Sequence, residues 1–312
     1  MERRVSSIDP GWWDFTTLDE EVLVEAARLM PADIAGLSRP GFQVLFYDSL
    51  EEFFLAEAME YVNAWRRSTA DNPVGICGPI GPTEQLPLVA RVVNAMGLSL
   101  KDAHFWGMDE WQVDGRPIDL GHPLSFMRVD DELCFSRIDR DLAMPSANIR
   151  FPVGDLDGFE ASFREIRCAV MQGGQGDVMH WAFNDPYRRE GAYSRSPPPV
   201  EEYRTLGTRT VDLHPLTTLQ NARASADGFV TAMPVQATTV GPVQTWLADT
   251  VSIWHPGYHA SPFGMRLTAL MISRRIVDTA VPMSLLAEHP DVRFHFFRGG
   301  IGEVGLARQN EH

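Results

Sequence analysis

The feature of this sequence that most constrains its fold is an alternation, from residue 42 onward, of short β-prone runs with segments of helical periodicity. Residues 42–46 form the first apolar run. Leu50, Phe54, Ala58, Tyr61 and Trp65 then recur at helical spacing, which predicts an amphipathic helix over 50–67. Residues 74–77 read as a buried strand, followed by the turn Gly78-Pro79-Ile80-Gly81-Pro82. Thr83 is placed to cap a helix running to about Met96, with Gly97 as its stop. Pro87 falls near the first turn of that helix, where a missing N–H costs least. Further strands are predicted at 103–107, 168–171, 208–211, 251–254 and 292–297, with helices marked by Phe159, Phe163 and Ile166 and over 264–277. Such an order implies βαβ units, and the expected class is α/β, a Rossmann-like three-layer sandwich with a mostly parallel sheet. In these sheets ligands bind beyond the carboxyl ends of the strands, so polar residues just after strands are the places to look for chemistry.

Residues 1–41 fall outside the alternation and read as an N-terminal extension, with Trp12, Trp13 and Phe15 packing it onto the body or a neighbouring subunit. Residues 42–312 form the α/β domain. The polar, proline-rich segment 187–206 reads equally as a lid or as a surface loop. A formal charge of −15 argues against nonspecific nucleic-acid binding, which depends on basic side chains neutralising phosphates. A few local arginines are still enough to hold a small anion. No apolar run reaches the roughly 20 residues of a membrane helix, and the first residues have no apolar signal core. Cys77, Cys134 and Cys168 are few, odd in number and scattered, which suits reduced buried thiols in the cytoplasm. No Cys/His spacing matches a structural zinc site, so no metal is expected.

Two segments carry the chemistry. The first is Trp106-Gly107-Met108-Asp109-Glu110-Trp111, directly after a predicted strand, with His122-Pro123-Leu124-Ser125-Phe126 a few residues on. Two adjacent acids there put one carboxylate toward the site and turn the other away; an isolated pair of this kind is more often a solvated turn. The second is Gly173-Gly174-Gln175-Gly176-Asp177-Val178-Met179-His180-Trp181-Ala182-Phe183-Asn184-Asp185-Pro186. Its glycines, Gly174 among them, let backbone approach a ligand closely. Its histidine has a carboxylate on either side, and a carboxylate bond fixes the tautomer and orientation that a proton-shuttling imidazole needs.

These two segments, in this order and followed by Asn221-Ala222-Arg223, resemble the signature pair of the glucosamine-6-phosphate deaminase/isomerase family, kin to the 6-phosphogluconolactonases. The similarity covers roughly residues 42–298. Members of that family open a sugar ring, move a proton between C1 and C2 and release ammonia from C2. The resemblance implies that Asp109 is the general base, that His180 assists ring opening, and that Asp185 stands where the family has a glutamate of the same relay. Arg223 stands at the arginine that contacts substrate phosphate. The implied ligand is a small-molecule sugar or sugar phosphate, and no cofactor is implied, because the substrate's own carbonyl supports enolisation. Relatives often associate, and a homo-oligomer is compatible with that.

Two departures qualify the resemblance. The family's Asn-Asp-Gly-His reads Asp177-Val178-Met179-His180 here, so the orienting acid is either Asp177, one position earlier, or Asp185 alone. The family's phosphate loop, Thr-Gly-Gly-Thr-Pro, aligns with Gly78-Pro79-Ile80-Gly81-Pro82 and loses both hydroxyls, while Glu84 repels a phosphate at the helix start. Gly78, Ile80, Gly81 and Thr83 remain as the substrate-binding backbone. Arg266 is the nearest substitute for the family's phosphate-binding lysine, which has no clear match near 255–266. The readings are therefore an isomerase or deaminase of an amino-sugar phosphate, an isomerase of an unphosphorylated sugar or sugar acid, a degenerate sugar-binding protein, and a lactonase in which His180 activates water.

Overall fold

The computed structural model describes residues 3–257 and 261–305. Its strands, in chain order, are β1 (Phe42–Tyr47), β2 (Val74–Gly78), β3 (Ala103–Gly107), β4 (Asp109–Val113), β5 (Arg116–Pro117), β6 (Ile149–Arg150), β7 (Arg167–Gly173), β8 (Arg209–Asp212), β9 (Gln236–Thr239), β10 (Thr250–His255) and β11 (Val292–Phe297). Seven form one sheet in the order β1-β11-β10-β7-β2-β3-β6, every neighbouring pair parallel. β2 and β10 are buried along their whole length; β2 reads accordingly as an apolar run, whereas β10 takes Thr250, Ser252 and His255 inside with its apolar residues.

Helices cover both faces, as the α/β expectation requires. On one, Trp106 stacks on Phe163 with centroids 4.5 Å apart, and its Nε1–H donates to Ser162 Oγ at 2.7 Å. On the other, the Leu50–Trp65 and Gln85–Met96 helices bury Tyr61, Val62, Trp65 and Val89 against Ile76 and Phe105. Each such buried side chain contributes about 1.5–3 kcal/mol by leaving water. Ser49 caps the first of these helices by accepting the Glu52 N–H. The second begins at Gln85, so Thr83 is not its cap; Glu84 stands there without a side-chain capping bond. All three cysteines are buried free thiols. Among the described residues, no helix is long and apolar enough to cross a membrane.

The remaining four strands form a second, antiparallel sheet in the order β5-β4-β9-β8. Sequence periodicity missed it in two places. The run at 208–211 was expected in the parallel sheet but belongs here as β8, and the Asp109-Glu110 turn is the start of β4. The chain passes from one sheet to the other across a single residue: Met108 N–H donates to Gly78 O, and Met108 O accepts from Val240 N–H, both at 3.0 Å. Gly107 makes the junction possible, since a Cβ there would lie 2.1 Å from the Phe151 ring.

The N-terminal segment lies against the body. Leu18 and Ala26 pack with Leu267, Leu270 and Met271 of the Pro262–Arg274 helix, and Trp12 and Trp13 are buried. Trp13 Nε1–H donates to Tyr193 O at 2.7 Å and its backbone N–H to Tyr187 O at 2.9 Å. The 187–206 segment is thereby held from outside, and from inside by the fully buried Tyr203.

Candidate functional site

In chain order the parallel sheet runs outward from β2 through β3 to β6 and, in the other direction, from β7 through β10 to β11. The connections diverge between the neighbours β2 and β7, and a crevice opens beyond their carboxyl ends, the standard ligand position in such sheets. A cavity of about 440 Å³ lies there. Ile80, Gly81 and Thr83 line it from the turn after β2, Gly174 and His180 from the loop after β7, Asp109 from the junction between sheets, and Arg223 from the Pro215–Ser225 helix.

Asp109 opens β4 opposite Thr239 and is nearly buried. Its Oδ1 accepts the Phe183 N–H at 3.2 Å, a donor shared with Thr239 Oγ1 at 2.9 Å. Burial pushes the carboxyl up to about 7. The Thr239 hydroxyl, the His180 ring and the Phe183 N–H pull against that rise, and the Glu110 charge adds to it. Glu110, one residue on, points to the other face of the strand. Its oxygens accept from Ser125 Oγ, Phe126 N–H and Met127 N–H at 3.0–3.1 Å, all at the start of the Phe126–Leu133 helix. Expected among the catalytic residues, Glu110 stands instead outside the cavity lining, its oxygens anchoring that helix, where a carboxylate is favoured by the dipole.

His180 sits in a tight loop in which Met179 and Ala182 both take left-handed backbone angles, φ 66° and 50°. Such angles are costly for residues with a Cβ and are held by the surrounding packing. Its Nδ1 is bonded to Asp185 Oδ1. Gly176 faces the other ring nitrogen: a Cβ there would lie 2.0 Å from Nε2, so glycine keeps that edge clear. Asp185 lies behind the ring, away from the cavity. It accepts the His214 backbone N–H at 2.7 Å and the Thr217 hydroxyl at 3.1 Å, while Tyr203 donates to its carbonyl at 2.9 Å.

Other expected residues stand elsewhere. Asp177 is not the orienting acid: its carboxylate meets Arg223 Nη2 at 2.5 Å, and its N–H donates to Gln220 Oε1 at 2.6 Å. Gly78 contributes to the sheet junction rather than to the cavity wall. Arg266 is fully buried and away from the cavity. It donates to the carbonyls of Leu29, Pro262, Ile301 and Gly302 at 2.6–3.1 Å, so it clamps chain segments and has no donor directed at a phosphate. Thr239, His214 and Thr217 were not legible as site residues. Only the His214-Pro215 pair carried a signal, that of a helix start.

No protein-family model matches the sequence, and no curated protein is similar to it. Solved structures do match in three dimensions. A monomeric glucosamine-6-phosphate deaminase superposes with a TM-score of 0.60 at 17% identity, covering 83% of this chain and 99% of that one. The 6-phosphogluconolactonase of Trypanosoma cruzi gives 0.56 at 14% identity, covering 84% and 96%. That of Plasmodium vivax gives 0.54 at 12% identity, covering 86% and 96%. The chain has the α/β fold that these deaminase and lactonase structures share.

Proposed function

We propose that this chain is a sugar isomerase or deaminase that transfers a proton between C1 and C2 of an open-chain aldose. The observation that carries the reading is Asp109, a buried carboxyl on the cavity wall with a pKa raised to about 7, lining the same space as His180. A base poised near neutrality is matched to removing a proton from carbon next to a carbonyl, and a positioned group of this kind contributes about 10²–10⁴-fold in rate. His180, oriented by Asp185, takes the proton of the C1 hydroxyl and returns one to the ring oxygen as the ring opens. Asp109 then takes the C2 proton and delivers it to C1. The step balances internally, C1 being reduced as C2 is oxidised. Where C2 carries an amine, the resulting iminium adds water and loses ammonia.

A second reading, an unphosphorylated sugar as substrate, is favoured by the charges around the cavity. Arg223 already pairs with Asp177, Glu84 stands in the wall, and Pro79 and Pro82 offer no N–H where a phosphate would be cradled. Lactone hydrolysis by a water activated at His180 is less well supported, because it gives Asp109 no task.

The test is ammonia release and ketose formation from paired amino sugars with and without a 6-phosphate, with Asp109→Asn as control. Activity on either member that Asp109→Asn abolishes supports the reading, and the preferred member decides the phosphate. No ammonia and no ketose from any pair overturns it, and turnover of a sugar lactone by the same preparation would reassign the site.

A further inference from the structure

The His180–Asp185 pair is backed by a second buried pair that comes from the N-terminal segment. His214 caps the Pro215–Ser225 helix: its Nδ1 accepts the Leu216 N–H at 3.1 Å. A nitrogen that accepts carries no proton, so the ring proton is on Nε2, which makes no hydrogen bond of good geometry but lies 3.5 Å from the Asp14 Oδ2 carboxylate, a close charge contact. Both side chains are completely buried. Asp14 also accepts from Ser6 Oγ, from Thr16 N–H at 2.8 Å and from Thr16 Oγ1 at 2.6 Å. Burial works to raise its carboxyl, but the contact with His214 and the bonds from Ser6 and Thr16 outweigh it and hold the group below its usual range. Asp14 is therefore an anion at neutral pH. The Trp12 ring closes over His214, centroids 5.1 Å apart and edge-on, with the Arg188 guanidinium 4.5 Å from the Trp12 centroid.

We infer that the N-terminal segment is a positioning element of the site, in which Asp14 holds His214, and His214 with Thr217 fixes the Asp185 carboxylate against His180. The connection is continuous: Asp185 Oδ2 takes the His214 backbone N–H, Oδ1 takes the Thr217 hydroxyl, and Oδ1 meets His180 Nδ1. A backbone amide aims a hydrogen bond well only if its residue is held, and the His214 side chain is held on its inner edge by its own helix and on its outer edge by Asp14. Without the anion, the buried Nε2–H loses its charged counterpart, a cost that favours moving the ring and with it the amide. Asp14 and His214 are positioning residues, since neither lines the cavity. The catalytic consequence rests on the reading of His180 given above; the structural coupling does not.

The experiment is Asp14→Asn, which keeps the shape and removes the charge, read in two ways. The first needs no substrate: in protein labelled with ¹⁵N-histidine, the Nδ1 and Nε2 resonances of His180, assigned by their loss in His180→Gln, move in Asp14→Asn if the segment positions the relay. They stay in place if Asp14 only anchors the segment, which overturns the inference. The second is the pH profile on whichever sugar is turned over. The expected result is a kcat lower by about tenfold, the worth of roughly one net hydrogen bond. KM stays within about twofold across the profile. A variant with lower thermal stability but an unmoved profile and unmoved resonances also overturns the inference. Should Asp14→Asn not fold, Ser6→Ala, which removes one donor to Asp14 from its outer side, is read by the same resonances to the same two ends. If no sugar is turned over at all, the proposed reaction fails while the resonances still decide the coupling.

Discussion

Arg223 Nη2 lies 2.5 Å from Asp177 Oδ2, so the arginine that reaches the cavity arrives with an acid already on it. The Asp177 backbone is in turn held by Gln220, one turn earlier on the same helix as Arg223. The pair therefore ties the loop after β7 to that helix. An anionic substrate group must compete with Asp177 for the guanidinium, and the competition sets how strongly phosphate is felt.

Asp177→Asn is expected to tighten binding of inorganic phosphate by about tenfold, since it removes a charge-assisted partner of Arg223. Titration calorimetry of phosphate into the two proteins checks this. Equal affinities would show that phosphate does not reach Arg223.

The rate is expected to rise with pH through about 7 and then level, because Asp109 accepts a proton only when ionised. Asp109→Asn is expected to lower kcat by about 10²–10⁴-fold and to abolish that rise. Steady-state profiles of kcat from pH 5 to 9 decide it.

Stability is expected to fall as pH rises. Burial holds Asp109 at about 7, and it holds Glu57 and Asp130, none of whose carboxylate oxygens has a hydrogen-bond partner, well above their usual range. Folded-state values raised above the unfolded ones mean that the stabilisation is complete at low pH and is lost as pH climbs through the folded values. The melting temperature is expected to drop by several degrees between pH 5 and pH 7.5, and Asp109→Asn to shrink the drop, as thermal melts across that range report.

Gly176→Ala is expected to lower kcat by about 10²-fold, because the new methyl occupies the space in front of His180 Nε2. The Ser68→Ala change, which removes the bonds of Ser68 Oγ with Asp102 O and Val74 N–H away from the cavity, provides a comparison for general destabilisation in the same melts and assays.

The parallel sheet was legible because its strands are either uniformly apolar or bounded by turns, as in 74–77 and 251–254, and because the helices between them repeat at their own period. Asp109, His180 and Arg223 were legible because each follows or lies near a recognisable segment, and all three come to one cavity. The second sheet was not. β4 is only five residues long and starts with two acids; its partner β9 lies about 125 residues further along the chain, and β8, which pairs with β9, about 100. A strand that short gets its identity from the strands beside it, not from its own pattern.

What the sequence determined by itself is local: which segments form the helices and strands of the parallel layer, and which residue types stand just beyond those strands. What only tertiary structure decided is which way each polar group turns. Asp109 and Glu110 are neighbours in the chain, yet the two faces of β4 send one to the cavity and the other to a helix start. Asp177 and Asp185 both flank His180, yet one is taken by Arg223 and the other by the imidazole. Arg266 is claimed by four carbonyls from three separate stretches of chain. A buried charge or hydrogen-bonding group settles where partners satisfy it, and those partners are brought together by the fold rather than by proximity in sequence.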